Sequence, residues 1–238
     1  MRLPKAAAFA VVAVALTPIP IAAAGPAPAA PAPAPAAPSA ATDKDPSADA
    51  IADRVQAFYD RTRTFAADFT QRYTIKAYNR TKDSRGKVVF EKPGKMSWRY
   101  SSNGNRVVAD GKILRVYEAE NQQMYEQPMD QSQYPAALSF LLGGGSVKKT
   151  FSLQKLDGAR LGFSGGWVLK GEPKEPTPAY QTMLLYVDAK TAQVRRVMLI
   201  DAQGNRNRFD FLNPVVNEKT APDEFKFVPP KGTKVIKP

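Results

Sequence analysis

The 238-residue chain contains no cysteine and no histidine. Without cysteine there is no disulfide, no thiolate metal site, no cysteine nucleophile and no thiol to carry a lipid anchor. Without histidine the commonest general base and the commonest metal ligand are both gone. Long apolar runs are lacking too. The longest, 6–16, falls short of the roughly 20 residues that a membrane-spanning helix needs. Any enzymatic reading would have to work with carboxylates, lysines, serines and tyrosines. These absences point to a non-enzymatic protein with no cofactor and no metal.

What is present begins with charge. Thirty-four Lys and Arg against 22 Asp and Glu give a formal charge of +12, a surface that favours acidic partners. Arg2 and Lys5 precede the apolar run, and Ala22–Ala24 supplies small residues before Gly25. This pattern reads as a secretory signal over 1–24, with an uncleaved anchor as the alternative. Export argues against a nucleic-acid partner. Residues 25–46 are rich in Pro and Ala, which favours extended polyproline II over a core, so the segment reads as a linker. A single globular domain is expected over 47–238, as a monomer.

That domain opens with a helix. Asp43 to Ser47 supply capping residues, and Ile51, Val55, Phe58 and Tyr59 fall on one apolar face. The period then changes to two, with Phe65, Ala67, Phe69, Gln71 and Tyr73 alternating against polar neighbours. A β-meander follows. Lys92-Pro93-Gly94-Lys95 has proline and glycine in type II turn positions, and Asn103-Gly104 and Asp110-Gly111 are hairpin signals. Pro135 opens a second short helix whose Leu138, Leu141 and Leu142 share a face, and Gly143–Gly145 ends it. Strands resume near Thr150, Gly166, Thr182, Val194 and Arg206, and Phe225, Phe227 and Val228 suggest a last one. About 10–11 antiparallel strands in one sheet tend to curl. Two short helices would then cover the concave side, giving an unclosed β-barrel with a helical lid.

Several residue sets admit more than one reading. Phe90, Met96, Trp98, Leu114, Val116, Met183, Leu185, Phe209 and Phe211 could line a lipid cavity or fill an ordinary core, and periodicity does not separate the two. The Gly143–Gly145 run with Ser146 and Lys148 lacks phosphate-loop spacing and follows a helix, which favours a helix stop. Asp110, Glu118 and Glu120 flank turns, where carboxylates are usually solvated. Lys226, Lys231, Lys234 and Lys237 form either a docking patch or a solubilising tail.

The ordered segments resemble the LolA family of outer-membrane lipoprotein carriers. The pieces that carry the resemblance are Phe65–Gln71, Gly86–Tyr100 with its basic-Pro hairpin and Trp98, Val108–Tyr117 with Asp110-Gly111, Asp201–Asn205, and Phe225–Gly232. The resemblance spans about residues 47–236. It implies an unclosed barrel with a helical lid, located in the periplasm of a Gram-negative bacterium. It implies a carrier that takes acylated lipoproteins from an inner-membrane ABC transporter to an outer-membrane receptor. The receptor of the same fold is anchored through a cysteine, so a chain without one matches the soluble carrier. The resemblance also implies roles for individual residues. Ile51, Val55, Phe58, Leu138, Leu141 and Leu142 would form the lid. Lys92 stands where the family has an arginine that holds the lid closed. Lysine keeps the charge but loses the planar five-donor fork. Alternatives outside this reading are a periplasmic lipid- or glycolipid-binding sensor of the same fold and, from another class, an envelope hydrolase.

Overall fold

The computed structural model describes residues 45–129 and 144–237. The expected signal segment over 1–24, nearly all of the linker, and the helix expected to carry Leu138, Leu141 and Leu142 lie outside these residues. Everything below belongs to the unit Pro46–Pro238.

Helix α1 spans Ala48–Asp60 and begins where the sequence places a cap: the Ser47 side chain accepts from the Ala50 N–H. Its 3.6-residue period puts Ile51, Ala52, Val55 and Tyr59 on one buried face. The strands that follow are β1 (Thr64–Ile75), β2 (Arg80–Glu91), β3 (Lys95–Tyr100), β4 (Arg106–Asp110), β5 (Ile113–Glu118) and β6 (Gln123–Pro128). After a single helical turn, α2 (Val147–Thr150), come β7 (Phe151–Leu156), β8 (Gly166–Pro173), β9 (Thr182–Asp188), β10 (Val194–Ile200), β11 (Arg206–Val216) and β12 (Lys234–Ile236).

The twelve strands among the described residues form one sheet in the order β12-β6-β5-β4-β3-β2-β1-β11-β10-β9-β8-β7. The end strands do not pair with each other, so the barrel is unclosed. The expectation of 10–11 antiparallel strands is close but needs two corrections. There is one more strand, and β12 pairs parallel to β6. Phe225, Phe227 and Val228 do not form a strand; their segment crosses the outer face of the sheet instead. Glu224 and Phe225 are buried there, and Phe227 packs against Tyr117 with ring centroids 5.4 Å apart. The β2–β3 loop also differs from a simple type II turn. Gly94 has the positive φ expected of it, but the Lys92–Pro93 peptide bond is cis.

The hydrophobic core lies on the side that α1 covers. It reaches from Leu114 on β5 to Phe151 on β7, strands nine positions apart in the sheet. In a flat sheet they would be about 43 Å apart, while a 13-residue helix is only about 20 Å long. One helix can share a continuous core with both only because the sheet curls around it. The other face carries a smaller cluster of Val168, Leu184 and Tyr186, covered by Phe163.

Candidate functional site

The period-two alternation of the strands points one row of side chains per strand at the helix-covered face. Phe90, Met96, Trp98, Leu114, Met183, Leu185, Phe209 and Phe211 are all buried in one cluster, and Val116 packs against it from a half-buried position. The nine residues that the sequence nominates are therefore brought together. The aromatic members interlock around Trp98. Its ring lies 5.2 Å from that of Phe209 and 5.7 Å from that of Phe90, both edge-on. Phe65 and Phe69, outside the nominated set, complete the surface; Phe69 meets Trp98 at 5.0 Å. The alternation in β1 already marked both, so the signal for them was present. Among the described residues the buried Trp98 indole N–H has no hydrogen-bond partner, a polar donor in an apolar surround.

The α1 residues expected to form a lid sit over this surface. Ile51 and Val55 are fully buried in the same cluster, and Phe58 packs against it with its ring edge-on to Tyr59. Leu138, Leu141 and Leu142 fall outside the described residues.

Polar contacts tie the helix down at several points. The Lys92 ammonium donates to the backbone carbonyl of Tyr59 at 2.5 Å. That carbonyl belongs to the last turn of α1, where the helix dipole favours a cation, and it also accepts from the Thr62 N–H at 3.0 Å. Burial pushes the Lys92 amine below its ordinary value, partly opposed by the nearby Asp60 charge. The Tyr59 hydroxyl accepts from the Val194 N–H of β10, and burial holds this phenol well above the usual tyrosine range. Farther along, Gln56 accepts from the Val147 N–H, and Lys148 pairs with Asp53 at 2.5 Å. The helix is thus fastened by its apolar face and by polar contacts to the β2–β3 loop, β10 and α2. Tyr59 is the residue that sequence reasoning undervalued. It reads as one more apolar position, yet its carbonyl and hydroxyl each meet a different part of the sheet.

The carboxylates weighed for hydrolysis do not converge. Asp110 accepts from the Lys112 and Ile113 N–H groups and pairs with Arg115, while Glu118 accepts from Asn121 and Gln123. These are turn and strand contacts.

The family description "Outer membrane lipoprotein carrier protein LolA" matches residues 60–228, well over half of the chain. This chain belongs to the LolA family. Curated relatives named outer-membrane lipoprotein carrier protein include one from Nitrosomonas europaea, 28% identical over 77% of this chain and 87% of its own length. Others are from Bordetella avium, 29% identical over 80% and 88%, and Methylibium petroleiphilum, 30% identical over 79% and 90%. Among solved structures, a LolA superfamily protein from Nitrosomonas europaea aligns with a TM-score of 0.43 at 12% identity, covering 76% of this chain and 98% of that one. The LolA match begins at the last residue of α1, so most of the helix that covers the apolar face lies N-terminal to it.

Proposed function

We propose that this LolA-family protein is a non-enzymatic carrier in the periplasm that shields the acyl chains of lipoproteins between an inner-membrane transporter and an outer-membrane receptor. The observation that carries this reading is the seating of one short helix on a continuous aromatic and aliphatic face of an unclosed sheet. The names of the matched relatives support it. Phe90, Met96, Trp98, Leu114, Val116, Met183, Leu185, Phe209 and Phe211 form the acyl-contacting face. Ile51, Val55 and Phe58 form the described part of the lid, and Lys92 is its latch.

Magnitudes favour an exchange mechanism. Burying an acyl chain of about fifteen methylenes releases roughly 12 kcal/mol at ~0.8 kcal/mol each. Left unopposed, that is nanomolar binding per chain, too tight for a carrier that must let go. Lifting Ile51, Ala52, Val55 and Tyr59 off the sheet costs about 6 kcal/mol on the same scale. With one chain seated, the remaining ~6 kcal/mol lies between micromolar and millimolar affinity. Helix and acyl chain compete for one surface, so capture is favourable and release stays possible.

The direct experiment is co-purification. The exported protein, incubated with inner-membrane vesicles that release a triacylated lipoprotein, is expected to hold that lipoprotein in a soluble one-to-one complex. Recovery of a free phospholipid or glycolipid alone, with lipoprotein left on the vesicles, would favour the sensor reading and contradict the carrier.

A further inference from the structure

The outer face of the sheet breaks a rule that the inner face keeps. Strand register places Leu212, Asp68, Lys87, Arg99 and Arg106 in one row across β11, β1, β2, β3 and β4. Lys87 is directly opposite Arg99, and Arg99 directly opposite Arg106. Like charges facing each other on adjacent strands destabilise a sheet. Arg85 stands one step along on the same face of β2. Two carboxylates answer this row: Asp68 pairs with Lys87 at 2.8 Å and Glu224 with Arg99 at 2.6 Å. Among the described residues no carboxylate comes within salt-bridge range of Arg85 or Arg106. Arg106 is half-buried, its guanidinium 5.1 Å from the centroid of the Phe227 ring, and its Nε has no hydrogen-bond partner among the described residues. Burial, with the Arg99 charge added, lowers the Arg106 pKa, partly opposed by the Glu224 charge, so this cation is held at some cost.

These side chains do not lie on a flat surface. They line a cleft of about 530 Å³ that also takes in Leu212 and Gly104. That volume falls within the roughly 300–1,000 Å³ of small-molecule sites. Guanidinium groups without a carboxylate partner, beside the exposed Leu212 side chain, suit a phosphate that bears an apolar substituent, since the planar fork bonds two phosphate oxygens at once. A local conflict between sequence and fold is where a functional site is expected.

The geometry points to a phosphate-ester binding site in this cleft, built by Arg85, Lys87, Arg99 and Arg106. It lies on the sheet face opposite the acyl-contacting surface and goes beyond the carrier reading, standing whether or not that reading holds. The phosphate could be free or could belong to a phospholipid headgroup.

The test is calorimetric and NMR titration of the exported protein with three probes: inorganic phosphate, dihexanoylphosphatidylglycerol below its micellar concentration, and uncharged dihexanoylglycerol. Binding of either phosphate probe, with shifts in the Gly86 and Gly104 amide resonances, is the expected result. Binding of both identifies phosphate itself as sufficient, and binding of the phospholipid alone identifies a headgroup. Arg106→Gln is expected to weaken binding about tenfold or more, while its ligand-free melting temperature holds or rises as the like-charge pair is relieved. Arg85→Gln, at an exposed position, gives the same loss without touching a packed residue and leaves acyl-lipopeptide capture unchanged. Binding by neither phosphate probe would overturn the site. So would equal binding of the uncharged probe, or full affinity in Arg85→Gln.

Discussion

Lys92 holds α1 through one charge-assisted hydrogen bond to the Tyr59 carbonyl. Such bonds contribute roughly 1.5–3 kcal/mol when shielded, and about 1 kcal/mol for a half-exposed amine. Lys92→Met keeps the stem and removes the donor. The closed state loses stability, so less energy opposes acyl binding. The expected outcome is about fivefold tighter capture of a fluorescent acyl lipopeptide, with slower release to an acceptor vesicle. Lys92→Arg, which restores a cationic donor, should bring both rates back. Unchanged affinity in Lys92→Met would remove the latch from the account. The sequence made Lys92 visible only through the resemblance; nothing in the spacing of the chain says that a lysine 33 residues after Tyr59 meets its carbonyl. Tyr59 was hidden for the opposite reason, because its helical spacing already explained it as an apolar contact.

At the scale of elements, Gly86 shows how closely β2 and β3 approach. A Cβ there would lie 1.9 Å from the Arg99 carbonyl oxygen and 2.9 Å from the Phe69 ring. A backbone oxygen cannot swing aside, so Gly86→Ala should destabilise the domain by about 3 kcal/mol, read as a lower denaturant midpoint. A midpoint within error of the parent would show that the two strands sit farther apart. Local signals foretold the elements they control. Ser47 caps α1, alternation marks β1, and Gly104 and Gly111 take the positive φ that their hairpins require. The elements that escaped are those decided by distant partners. Phe225 and Phe227 alternate as a strand would, yet they lie against Lys95, Arg106 and Tyr117 because the outer face of β3–β5 needs a cover. The parallel β12–β6 pair joins segments about a hundred residues apart and has no turn to announce it. The facing row of Lys87, Arg99 and Arg106 exists only once register is known.

For the whole molecule, the buried phenols set an alkaline limit. Burial holds the Tyr59 phenol far above the ordinary tyrosine value and pushes Tyr180 up to about 12. In the unfolded chain both ionise near pH 10, whereas the native state keeps their protons. Stability is therefore full below about pH 10 and falls as pH rises from there toward 12. Denaturant midpoints measured from pH 8 to pH 11 should stay level and then drop, with a shallower drop for Tyr180→Phe. A midpoint that rises above pH 10 would contradict the assigned burial.

The same whole-molecule scale holds the central claim that helix α1 and acyl chains compete for one apolar face. The side of α1 that faces the sheet and the nine nominated strand residues were legible in sequence as apolar positions; that they share one cluster was not, because a filled core and a coverable face have the same periodicity. Amide hydrogen exchange on the intact protein, with and without a triacylated lipopeptide, separates the two most directly. The account predicts that loading speeds exchange across Ala48–Asp60 while β1, β2, β9 and β11 stay protected. Unchanged or increased protection of that helix in the loaded protein would contradict it.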